Sequence, residues 1–85
     1  MEIVFTRHAN EKFVVLARHN VTISRRKVIS TVQKADLIDY VRLPLLIAQS
    51  NLDRNHVLRV VYKKETNAIK IITFYPGRKS QYEKK

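Results

Sequence analysis

The chain has 85 residues, 45% of them hydrophobic, and 17 Lys and Arg against 7 Asp and Glu give a formal net charge of +10. That length holds one domain with one modest core, and so apolar a composition excludes a disordered chain. With no cysteine there are no disulfides, thiolate metal sites or cysteine nucleophile; no run nears the roughly 18 apolar residues of a membrane span, and the charged opening MEIVFTRHANEK is unlike a secretory leader, so a soluble cytoplasmic protein is expected.

EIVF at 2–5 reads as a short strand. Thr6 then stands where it can cap a helix reaching about Arg18, with Ala9, Phe13, Leu16 and Ala17 at helical spacing on one face. HNVT breaks that helix. Ser24 is placed to cap the next one, flanked by the hydrophobic staple Ile23 and Val28, and Val28, Ile29 and Val32 carry a buried stripe to about Lys34. From Ala35 the period becomes two. DLIDYVR and LLIAQSN are expected strands, with Pro44 at their junction because its nitrogen cannot donate to a ladder.

HVLRVVYKK and AIKIITFY are the clearest strands, rich in β-branched residues and joined through ETN. A three-residue loop there pairs Lys64 with Ala68 and asks Asn67 for a left-handed backbone. This register puts Leu58, Val60 and Tyr62 beside Phe74, Ile72 and Lys70 on the helix-facing side. Val57, Arg59 and Val61 then lie beside Tyr75, Thr73 and Ile71 on the other. The expectation is one domain over residues 1–85, an α+β fold in the order β-α-α-β-β-β-β. Two helices pack on one face of a mainly antiparallel sheet, the other face is free, and residues 76–85 form a basic tail.

The charge is uneven. Residues 1–53 hold eight cations and five acids, and residues 54–85 hold nine and two, a net of +3 against +7. An excess of this size draws polyanions, of which nucleic acid is the commonest, or an acidic protein. SRRK sets Arg25, Arg26 and Lys27 in the first turn of a helix, where the dipole disfavours each cation by up to about 1 kcal/mol. Together with the helix amides they could meet a phosphate; a solvated basic surface is the alternative. Further on, Arg54, Arg78 and Lys79 are interleaved with Tyr75 and Tyr82, pairing phosphate-binding groups with rings that stack on bases. Arg59, mid-strand among valines, needs something anionic to meet it. His8, His19 and His56 stand apart with no acid cluster, so no metal site is expected; one glycine cannot build a phosphate loop, and no cofactor is expected.

LRVVYKKETNAIKIITFYPGRKSQY resembles the end of the RelE/ParE toxin superfamily. The shared pattern is an arginine in an R-V-V-Y strand, here Arg59 to Tyr62, then a hairpin, an aliphatic strand and R-x-x-x-Y, here Arg78 to Tyr82. The opening FTRHANEKFVVLARHNVTIS is similar to an uncharacterised RelE-like family whose first helix begins Thr/Ser-x-His-Ala and whose last strand often closes with Tyr-Pro, as Tyr75-Pro76 does. Asn20 departs from it, standing where that family usually has glycine.

The resemblance implies a small α+β toxin that cuts messenger RNA without a metal, often on the ribosome, and is held inactive by an antitoxin protein. Arg59 and Arg78 would neutralise the phosphorane, and Tyr82 or His8 would move protons. The superfamily also holds ParE-type members that bind gyrase and cut nothing, so a non-catalytic module for nucleic acid or an acidic partner is the alternative. The nuclease expectation has a geometric condition. Residues 76–82 must fold across the exposed sheet face and bring Arg59, Arg78 and Tyr82 within about a nucleotide's width.

Overall fold

Each long helix begins at a hydroxyl. Thr6 Oγ1 accepts from Ala9 N at 3.1 Å and opens α1, Arg7–Arg18, while Ser24 Oγ accepts from Lys27 N at 3.0 Å and opens α2, Arg25–Gln33. The turn between them passes through Asn20 at φ 63°, the left-handed region that asparagine tolerates better than most residues. The computed structural model describes residues 2–83. Around the two helices it sets β1 (Glu2–Phe5), β2 (Leu37–Asp39), β3 (Leu46–Asn51), β4 (His56–Lys64), β5 (Ala68–Arg78) and a one-turn helix α3 (Lys79–Tyr82).

The five strands form one mixed sheet ordered β1-β5-β4-β3-β2, in which only the β1–β5 pairing is parallel. The molecule is a small α+β domain. α1 and α2 cover one face, where Ala9, Val28 and Val32 meet Ala48, Leu58, Val60, Ile71 and Phe74. Phe74 is fully buried, its ring centre 4.6 Å from that of Phe13. Burying one such side chain contributes about 2 kcal/mol or more.

Several expected details give way to packing. Ala17 is exposed and Ile29 only half-buried; the inward stripe of α2 is Val28, Thr31 and Val32, with the Thr31 hydroxyl 2.7 Å from Ser50 Oγ. β2 has three residues rather than seven, because Asp39 Oδ1 accepts from Val41 N at 2.9 Å and starts a turn instead of continuing the ladder.

The β4–β5 hairpin is shifted from the expected register. Lys64 pairs with Ile69 rather than Ala68, Glu65 N donates to Ala68 O at 2.8 Å, and Asn67 keeps a negative φ. The ladder then slips where Val61 pairs with Thr73 but Tyr62 with Ile71, leaving Ile72 as a bulge and bringing Tyr75 opposite Arg59. The reason is apolar content: the expected register puts Lys70 beside Tyr62 in the core. The observed one turns Ile69 and Ile71 toward the helices and sends Lys70 outward, 3.7 Å from Glu65 Oε2. Thr6 holds the bulge, its Oγ1 donating to Ile72 O and its N to Ile71 O, both at 3.0 Å.

The sheet's far face is not free at its centre. Val57, Arg59 and Val61 on β4 are 0%, 4% and 8% exposed. Nor do residues 76–82 of the expected 76–85 tail form one: β5 runs on through Arg78, and α3 then packs against β4 and β5, while residues 84 and 85 lie outside the described residues.

Candidate nucleic-acid interface

Strand alternation puts Arg59 on the far face, in one cross-strand row with Gln49 of β3 and Tyr75 of β5. Its Nε donates to Tyr75 Oη at 3.1 Å, Nη1 to Gln49 Oε1 at 2.6 Å and Nη2 to Asp39 Oδ2 at 2.9 Å. The Tyr82 ring closes the arrangement, its centre 4.2 Å from Arg59 Cζ. The anion that a mid-strand arginine requires is therefore internal. Burial pulls the Arg59 pKa down, but the hydrogen bonds to Tyr75 and Asp39 outweigh it and hold the guanidinium above its ordinary value.

Gly77 explains how Tyr82 reaches this place. A Cβ there would come within 2.7 Å of Tyr82 Cδ2 and closer still to Cε2, so the chain's only glycine stands where a ring lies against the backbone.

The Arg59 hydrogen bond holds the Asp39 carboxyl below the usual carboxylate range, assisted by the Val41 amide. A carboxyl with a depressed folded pKa contributes stability that is complete above its unfolded value, about 3.9, and is lost as pH falls toward the folded one. Urea midpoints are therefore expected to decline below about pH 4. Asp39→Asn, less stable at neutral pH, shows a shallower decline; parallel profiles for the two proteins would refute the assignment.

The remaining expected site residues divide. Arg78 pairs with His56, and strand alternation sends it to the face opposite Arg59. His8 is exposed on α1, across the sheet from Tyr82. Of the four residues expected to be catalytic, the fold brings together Arg59 and Tyr82 alone, so the geometric condition set for a nuclease is met by Tyr82 and fails for Arg78. Arg25 folds back over Phe5 and Phe13, with Cζ 4.5 and 5.1 Å from their ring centres, and its Nη2 donates to Asn10 Oδ1 at 2.9 Å. Arg26 is exposed and Lys27 half-buried. Arg25 thus fastens α2 to its neighbours.

Arg54, Arg78 and Lys79 do meet. With Asn55, His56 and Ser80 they line an open cleft of about 350 Å³ that has no acid on its wall. The turn before β4 builds it: Leu52 N and Asp53 N donate to His56 O at 3.0 and 3.1 Å. Asp53 Oδ1 accepts from Asn55 N at 2.8 Å and lies 2.9 Å from His56 Nδ1. These two contacts, the Asn55 amide first, depress the Asp53 carboxyl pKa. Lys79 N donates to Asn55 O at 2.9 Å, tying the turn to α3. The three cations of this lining stand out in the sequence by their charge, whereas nothing there joins Asn55, His56 and Ser80 to them. The available signal for the turn itself was Asp53-x-Asn55, an Asx turn immediately before a strand.

Comparison of the chain with protein-family models, with curated proteins and with solved structures gives no match. Among the described residues, no helix is long and apolar enough to cross a membrane.

Proposed function

We propose that the chain is a RelE-like binding module that holds single-stranded RNA in the cleft between the β3–β4 turn and α3. The supporting observation is the contrast between two sets of cations. Arg54, Arg78 and Lys79 surround an open, acid-free cleft, whereas Arg59 is buried, bonded to Asp39 and covered by Tyr82. A phosphate chain meets the first set without displacing anything. The neutral neighbours Asn55 and Ser80 suit ribose hydroxyls, and the +7 charge of residues 54–85 adds long-range attraction.

Binding of a fluorescent unstructured RNA should weaken with salt, with a log–log slope of about −2 or steeper for three neutralised phosphates. Arg54→Ala, Arg78→Ala and Lys79→Ala each flatten that slope by about 0.7, whereas Arg26→Ala leaves it unchanged. Equal effects from all four substitutions would place the RNA elsewhere.

A metal-independent endoribonuclease of the RelE-like toxin type, cytoplasmic and restrained by an acidic antitoxin, is the second reading. The observation favouring it is the return of Tyr82 over Arg59. In that reading α3 lifts before a phosphate reaches Arg59. Incubating the RNA with protein and EDTA separates the two: cleavage abolished by Tyr82→Phe supports the nuclease, and intact RNA supports the module.

A further inference from the structure

The cationic cleft does not end at His56. That residue also lines a second hollow, of about 420 Å³, between the α1–α2 turn and the β3–β4 turn, walled by Val21, Ile23, Leu52 and Pro76. Pro76 and Arg78 are alternate residues of β5 on one face, so an apolar ring and a guanidinium follow each other about 7 Å apart along the strand. Asp53 is the one acid beside the second hollow, and its Oδ1 is already engaged by Asn55 N and His56 Nδ1. With Nδ1 given to Asp53, Nε2 is the nitrogen His56 has left to offer a ligand.

We infer that the two hollows form one bipartite subsite for a single ribonucleotide unit. Phosphate lies against Arg54, Arg78 and Lys79, the base lies against Val21, Leu52 and Pro76, and His56 stands between them beside the ribose. This rests on the RNA-binding reading and adds to it a pocket that holds a base as well as a backbone. A purely electrostatic track needs no apolar wall. Here the wall and the cations meet at His56, which lines both hollows and is held in place by a hydrogen bond.

The test is an NMR titration of the intact chain with adenosine monophosphate and, separately, with inorganic phosphate at matched ionic strength. The nucleotide is expected to bind about tenfold more tightly than phosphate, the ratio that removing about 55 Å² of apolar surface from water supplies. It shifts the amides of Val21 and Leu52 as well as those of Arg78 and Lys79, whereas phosphate shifts only the latter pair. Leu52→Ser weakens nucleotide binding at least about threefold and leaves phosphate binding unchanged. Val21→Ser serves the same purpose if Leu52→Ser fails to fold, and Arg78→Ala weakens both ligands. Equal affinities for nucleotide and phosphate, or unmoved Val21 and Leu52 amides, overturn the inference. If RNA then still binds with the expected salt slope, the bipartite site alone has failed. If RNA does not bind either, the functional reading has failed with it.

Discussion

Arg59→Leu is expected to cost about 3 kcal/mol, a large share of the roughly 4–13 kcal/mol that holds a domain of this size together. Arg59 is 4% exposed, and its guanidinium donates to three different side chains. Its removal leaves Gln49, 3% exposed, without a donor, strands the Asp39 carboxylate and takes the cation from beneath Tyr82. The Asp39 side chain is 29% exposed, so water recovers part of its solvation and the loss falls at the lower end of the range for broken buried pairs. Arg59→Lys keeps the charge but loses the planar fork, and its cost should be intermediate. Adding Asp39→Ala to Arg59→Leu should cost less than the two single losses together, because no orphaned carboxylate remains. Urea denaturation compares the wild type with Arg59→Leu, Arg59→Lys, Asp39→Ala and the double variant; a loss below about 1 kcal/mol for Arg59→Leu would show that the cluster does not support the fold. Any RNA-cleavage assay of Arg59 variants must therefore be read beside their stability.

Gly77→Val should release the terminal turn while leaving the sheet standing. Valine suits a strand better than glycine and lowers the entropy of the unfolded chain, so the backbone itself gains. The first atoms that a Cβ at this position meets are those of the Tyr82 ring, which must leave Arg59. Losing a cation–π contact and its packing, worth about 1–2 kcal/mol, raises the open population of α3 by about tenfold or more. Limited trypsin digestion reads this directly, because Arg78 and Lys79 sit at the hinge. Cleavage there should accelerate about tenfold, with little change in the thermal midpoint. Tyr82→Ala should accelerate it to a similar degree, and the double variant no further. An unchanged rate in Gly77→Val would mean that the ring does not hold the turn.

The parts of the fold legible in the sequence were those set by neighbours in the chain. Thr6 and Ser24 announce their helices because a cap bonds only three residues ahead. The bulge at Ile72 was not legible: it settles a competition between Lys70 and Ile71 for one place beside Tyr62, and that competition exists only once the helices are packed. The end of β5 was missed for a different reason. Pro76-Gly77 usually stops a strand, but β1 covers β5 only as far as Ile71, so Pro76 stands where the strand has a single neighbour. That continuation carries Arg78 to the helix side and away from Arg59. The need of Arg59 for an anion is legible, because the arginine stands mid-strand among valines. The supplier, Asp39, lies 20 residues earlier and meets it only through β3, which stands between their strands.

The parallel contact between the first and fifth strands also governs the order in which a growing polypeptide can mature. Among the described residues β5 is the only partner of β1; it carries Phe74, and its bulge is what Thr6 grips. Until the ribosome has delivered that stretch, residues 2–5 have nothing to pair with and β4 offers a bare, apolar edge. Domains whose decisive contacts span nearly the whole chain close late and slowly. A transcript truncated before Ala68 would therefore yield a sticky fragment, a substrate for chaperones and proteases.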